Sequence, residues 1–132
     1  MIAALIILAS LLVPAVAWAA GPVNPSVVVV TLPQTNADGT TLTDLADVRF
    51  CVGPAGAPAL ANCQTVPVTT PDPPASALAS VPLATFALAA DGQYEADVDA
   101  GDTAGNRSAK TARAPFEWNR QAPGAPGLPT FR

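Results

Sequence analysis

No histidine occurs anywhere in the 132 residues, so the usual general base, the usual triad member and the commonest metal ligand are all missing. Only two cysteines are present, and neither their spacing nor their number suits a redox pair or a zinc site. Aromatic residues make up 5% and charged residues 12%, so a core must rest on Val, Leu, four Phe and the single Tyr. Fifteen Pro and nine Gly, scattered without period, argue against long helices, collagen and coiled coils and favour turns and extended edges. The glycines sit among Pro and Ala and form no phosphate-cradling loop. A net charge of −4, with no interleaving of basic and aromatic residues, argues against a nucleic-acid partner.

What the chain does have is alternation. Tyr94, Ala96, Val98 and Ala100 alternate with Glu95, Asp97 and Asp99, the period-two pattern of a strand that buries one face and wets the other. Such a strand suits an antiparallel sheet. Gly105 and Asn106 then accept the positive φ of a tight turn, and residues 108–114 offer a return strand. Residues 47–52 alternate too, with Val48, Phe50 and Val52 on one face and Arg49 and Cys51 on the other. Val27 to Val30 form a β-branched run that reads as a core strand. Residues 64–69 predict a short strand interrupted by Pro67, hence an edge. A further strand is expected over 83–88, although the Ala and Leu around it favour helix. Residues 34–44, with Asp38-Gly39, read as a loop, and Pro71-Asp72-Pro73-Pro74 as a turn or polyproline stretch. Residues 119–132 read as a Pro/Gly-rich tail.

Charge is unevenly ordered along the chain. Of the ten acids all but Glu117 lie at or before Asp102, where Arg49 alone opposes them, and Arg107, Lys110, Arg113, Arg120 and Arg132 follow. Either these are solvated faces and a solubilising tail, or a basic C-terminal edge meets an acidic partner surface.

Residues 1–20 are uncharged, carry an apolar run from Ile2 to Val13 and end in Ala17-Trp18-Ala19, the small-x-small pattern of a cleaved secretory signal. No Lys or Arg precedes the run, and an uncleaved anchor helix of about 19 residues is the alternative. Both readings export the remainder, giving a secreted, periplasmic or cell-surface chain with one domain over residues 21–118. Export makes a Cys51–Cys63 disulfide the expectation. It would close a Gly/Pro/Ala loop of about a dozen residues and contribute about 2–3 kcal/mol.

Two separated stretches resemble the fibronectin type III domains of secreted bacterial proteins and the related bacterial Ig-like domains. Residues 30–50 resemble the family's second strand, its Pro-bearing loop with an Asp38-Gly39 turn, and its third strand. Val30 stands where the family usually carries Trp, and Val48 and Phe50 stand in place of tyrosines. Asp91-Gly92-Gln93-Tyr94 and Ala104-Gly105-Asn106-Arg107-Ser108 resemble the sixth strand and the Gly-Asn-x-Ser turn before the last. The resemblance spans about residues 26–114 and implies an all-β antiparallel sandwich of about seven strands, with Tyr94 as the tyrosine whose hydroxyl caps a corner. Phe50, Val98 and Gly105 take structural places in that scheme. It implies nothing about a ligand.

Glu95, Asp97 and Asp99 lie about 7 Å apart along one strand face, a spacing open to glycoside chemistry, yet no aromatic platform accompanies them. Asp97, Asp99, Asp102 and Asn106 offer oxygen ligands near a turn, a candidate calcium site without EF-hand spacing. The chain therefore reads as a structural or adhesive module rather than an enzyme, with no cofactor. It would recognise a protein or glycan surface, in a bacterial envelope or a phage structural protein, through loops and sheet edges. The loops at issue are residues 34–44, the disulfide loop and the 102–106 turn. Two alternatives stand beside this reading: a carbohydrate-binding accessory of a secreted hydrolase system, with Trp118 as the candidate sugar platform, and a membrane-anchored assembly protein that keeps residues 1–20.

Overall fold

The computed structural model describes residues 21–69, 77–120 and 126–131. The expected leader (1–20) and the 71–74 turn lie outside the described residues, as does much of the tail. Six strands form in the order β1 (Val27–Thr31), β2 (Leu45–Pro54), β3 (Asn62–Pro67), β4 (Leu78–Pro82), β5 (Gly92–Asp102) and β6 (Ala114–Trp118). Every strand pairing is antiparallel: β1 with β4 in one sheet, and β3-β2-β5-β6 in the other. The two sheets share one hydrophobic core, so the chain is an all-β sandwich with six described strands where about seven were expected.

β2 and β5 form the centre because their alternation agrees. Phe50 faces Val98 across the ladder, and Val48 faces Ala100. Tyr94, Ala96, Val98, Val48, Phe50 and Val52 are all buried. On β6, Phe116 stands opposite Tyr94 with ring centroids 5.6 Å apart. The Tyr94 hydroxyl donates to the Ala90 carbonyl at 2.7 Å, a bond that pins the entry to β5. Tyr94→Phe removes that bond and keeps the ring, so urea unfolding should show a loss of about 1 kcal/mol.

Three sequence expectations are corrected. The valine run is only half core: Val28 and Val30 pack inward, whereas Val27 and Val29 face out. Residues 83–88 are not a strand. A 3-10 turn occupies Leu83–Phe86, and the strand lies earlier, at β4. The reason is a change of period. Ala79, Val81 and Leu83 are buried two apart, then Phe86 follows three residues on, and a 3-10 turn puts residues i and i+3 on one side. Asn62 Nδ2 fixes the turn by donating to the Phe86 carbonyl at 2.7 Å. Third, the return strand is not 108–114 but Ala114–Trp118. The edge position inferred from Pro67 stands, since β3 is the outer strand of its sheet.

Cys51 and Cys63 form a disulfide between directly opposed residues of β2 and β3, with Cα atoms 4.0 Å apart. The bridge therefore ties a strand pair at the loop end of its hairpin, one pair before the connection. The hairpin tip has its own anchor, because Arg113 donates to the Ala57 and Pro58 carbonyls at 2.5 and 3.1 Å. Replacing both cysteines by Ala should lower stability in denaturant by about 3 kcal/mol, the chain-entropy value for a loop of about a dozen residues. An oxidising, extracellular compartment is consistent with this bridge. Among the described residues no helix is long and apolar enough to cross a membrane.

Candidate functional site

The acids expected on a wet strand face are not wet. Asp97 and Asp99 are each 4% exposed, because cations lie over them. Lys110 Nζ meets Asp97 at 3.1 Å, and Arg113 meets Glu95 at 3.2 Å. Arg49 and Arg107 both reach Asp99 at 2.6 Å, and Arg107 also reaches Asp47 at 2.8 Å. Gly101 makes room for this arrangement: a Cβ there would lie 2.6 Å from an Arg107 guanidinium nitrogen.

The return path from the turn explains how three cations reach three acids. Ser108 donates its backbone N–H to the Ala100 carbonyl at 2.8 Å, and its hydroxyl accepts from the Ala100 N–H at 3.0 Å. Thr111 repeats both bonds with Val98, at 2.9 and 3.1 Å, and Ala114 then pairs with Ala96 in regular strand. Three residues of the return segment thus match two of β5 at each step, and a side-chain hydroxyl accepts where an ordinary strand would offer its carbonyl. The residue before each anchor, Arg107, Lys110 or Arg113, folds over the sheet onto Asp99, Asp97 or Glu95. The signal was present in the sequence as the triplets Arg107-Ser108-Ala109, Lys110-Thr111-Ala112 and Arg113-Ala114-Pro115. A reading tuned to period two missed it.

This pairing changes what the acids can do. The basic run meets the chain's own acidic strand, so those cations are engaged within the fold rather than held out to an acidic partner. Glu95, Asp97 and Asp99 each carry a cation from the return segment. Among the described residues no cluster of three or more His, Cys, Asp or Glu could hold a metal. Of the calcium candidates, Asp97 and Asp99 are taken by cations. Asp102 accepts from the N–H groups of Ala104 and Asn106 and from Asn106 Nδ2, at 2.9, 2.8 and 2.9 Å. The Asn106 side chain foremost, and then these backbone donors, hold the Asp102 carboxyl below its usual range. Trp118, the sugar-platform candidate, is half-buried against the core, with its indole nitrogen enclosed.

Of the three loops, the structure brings two together. Leu45 lies opposite Asp102, so the 34–44 loop and the 102–106 turn share one end of the sandwich, while the disulfide hairpin lies at the other, beside Gln93. Thr103 donates its N–H to the Asp44 carbonyl at 2.9 Å, and a register shift between Leu45 and Asp47 marks a bulge at the junction. A shallow cleft runs between them, lined by Asn36, Leu42, Leu45, Gly101, Asp102 and Arg107. Each loop orders itself. Asp38 accepts from the Thr40 hydroxyl at 2.6 Å and from its N–H at 3.0 Å, with Gly39 at φ 86° between them, and the Thr40 hydroxyl is the main cause of a lowered Asp38 pKa. Gly105, at φ 88°, closes the other turn as the Gly-Asn pattern implied.

No family model matches the chain, and neither a curated protein nor a solved structure proves similar to it.

Proposed function

We propose that this chain is a non-catalytic, exported module of the fibronectin type III or bacterial Ig-like kind, whose role is to engage another protein surface through one end of its sandwich. The observation that carries this reading is the meeting of the 34–44 loop and the 102–106 turn, both stiffened by their own aspartates. Loops already held in one conformation lose little entropy when a partner docks, which is how a small, loop-built surface gains affinity. The family assignment is supported by the antiparallel two-sheet order and by the hydroxyl of Tyr94 bonded back to Ala90. Export is supported by the disulfide. The test is capture from the host's own cell-surface fraction on immobilised protein, repeated with Asn36→Ala and Asp38→Lys together. Loss of the captured band with the double variant supports the reading, and equal capture by both proteins contradicts it.

A further inference from the structure

Charge is confined to one of the two sheets. Neither β1 nor β4 contains a charged residue, and the flanking chain is uncharged from Gly21 to Ala37 and from Pro73 to Ala90. The outer face of this sheet is apolar as well: Val27, Val29 and Leu78 are 41%, 50% and 63% exposed. Ser26 and Leu32 bond across to Leu83 and Ala77, which fixes the ladder's phase. In that phase Val28 and Val30 bond to β4, whereas the N–H and C=O groups of Val27, Val29 and Thr31 point to the opposite edge. No hydrogen bond covers them there among the described residues. The edge carries no charge, no proline and no bulge, the devices that usually blunt an exposed strand.

We propose that β1 pairs antiparallel with β1 of a second copy, about a two-fold axis through Val29. A row of open N–H and C=O groups calls for a strand, and the charge pattern selects which. Two copies of a chain with net charge −4 repel each other over most approaches, but the two-stranded sheet brings no charge to the contact. The register is self-complementary. Val29 faces the partner subunit's Val29, and Val27 faces the partner subunit's Thr31, so β-branched side chains meet along the whole outer face. The product is one continuous sheet, β4-β1-β1-β4, in place of two two-stranded sheets that are marginal alone. A five-residue strand buries less than a standard interface, so the dimer is weak and concentration-dependent. This pairing goes beyond the loop-end recognition and does not depend on it.

Val29→Cys and Val27→Cys, each made in the full chain as its host processes it, test the register under mild oxidation. In the proposed pairing the two copies of residue 29 have Cα atoms about 5.5 Å apart, within disulfide reach. The two copies of residue 27 are separated by about 13 Å, four strand residues. Val29→Cys should cross-link at least about tenfold faster than Val27→Cys, and Val29→Lys should sediment as a monomer at concentrations where the parent chain associates. Both sites face solvent, and unchanged melting temperatures confirm that the three variants fold. Equal cross-linking of the two cysteine variants, or a parent chain monomeric at millimolar concentration, overturns the proposal.

Discussion

Phe50→Ala is expected to lower the unfolding free energy by about 4 kcal/mol, the upper part of the range for truncating a buried aromatic residue. Phe50 is fully enclosed, sits on the central strand β2 and has Gln64 and Val98 as its cross-strand neighbours. Its same-face neighbours on β2, Val48 and Val52, are short and stiff at χ1, so the cavity cannot refill by rotamer change. A domain of this size has roughly 5–15 kcal/mol in total, so the variant should be close to unfolded at body temperature. Urea unfolding of the intact-disulfide protein measures this directly. A loss below about 1.5 kcal/mol would mean that Phe50 is not at the centre of the core.

Asp99→Ala should cost about 3 kcal/mol, since Asp99 accepts short charge-assisted hydrogen bonds from Arg49 and Arg107 at 2.6 Å, and its removal leaves Arg49 without a carboxylate and Arg107 with Asp47 alone. Both arginines reach solvent, which keeps the cost below that of a wholly buried pair. Acid should reproduce part of this effect. Burial by itself raises the Asp99 carboxyl pKa, but the hydrogen bonds and positive charge of Arg49 and Arg107 outweigh it, and the net position is below the usual value of 3.8. A carboxylate whose folded pKa is depressed adds stability that is complete above its unfolded pKa and disappears as pH falls through the folded one. Melting temperature should therefore drop below about pH 4 in the parent chain and drop less steeply in Asp99→Ala. Parallel pH profiles for the two proteins would remove Asp99 from the account.

The centre of the fold was legible because β2 and β5 each put their large apolar residues on one face at alternate positions, and period two has a single reading there. β1 was half legible: four consecutive valines announce a strand but cannot say that only one face is covered. The 3-10 turn was hidden because the helix preference of Ala and Leu does not specify a single tight turn, whose spacing is set by contact with Asn62 and the core. The cation triplets were written plainly in the sequence, yet their meaning depends on lying beside β5, where three residues must match two. The shared end of the 34–44 loop and 102–106 turn follows from the β2–β5 register, which places Leu45 against Asp102. No local pattern states that register.

The measurement closest to the central claim is amide hydrogen exchange at Val98 and Ala100. Both N–H groups face the return segment and are covered by hydroxyls, Thr111 for the first and Ser108 for the second. Thr111→Val keeps the shape and removes the acceptor. The Val98 amide should then exchange about tenfold faster or more, as loss of one such bond implies, while Ala100 stays protected. An unchanged Val98 rate in Thr111→Val would contradict the three-to-two seal over β5 and the ordered clamp of cations built on it.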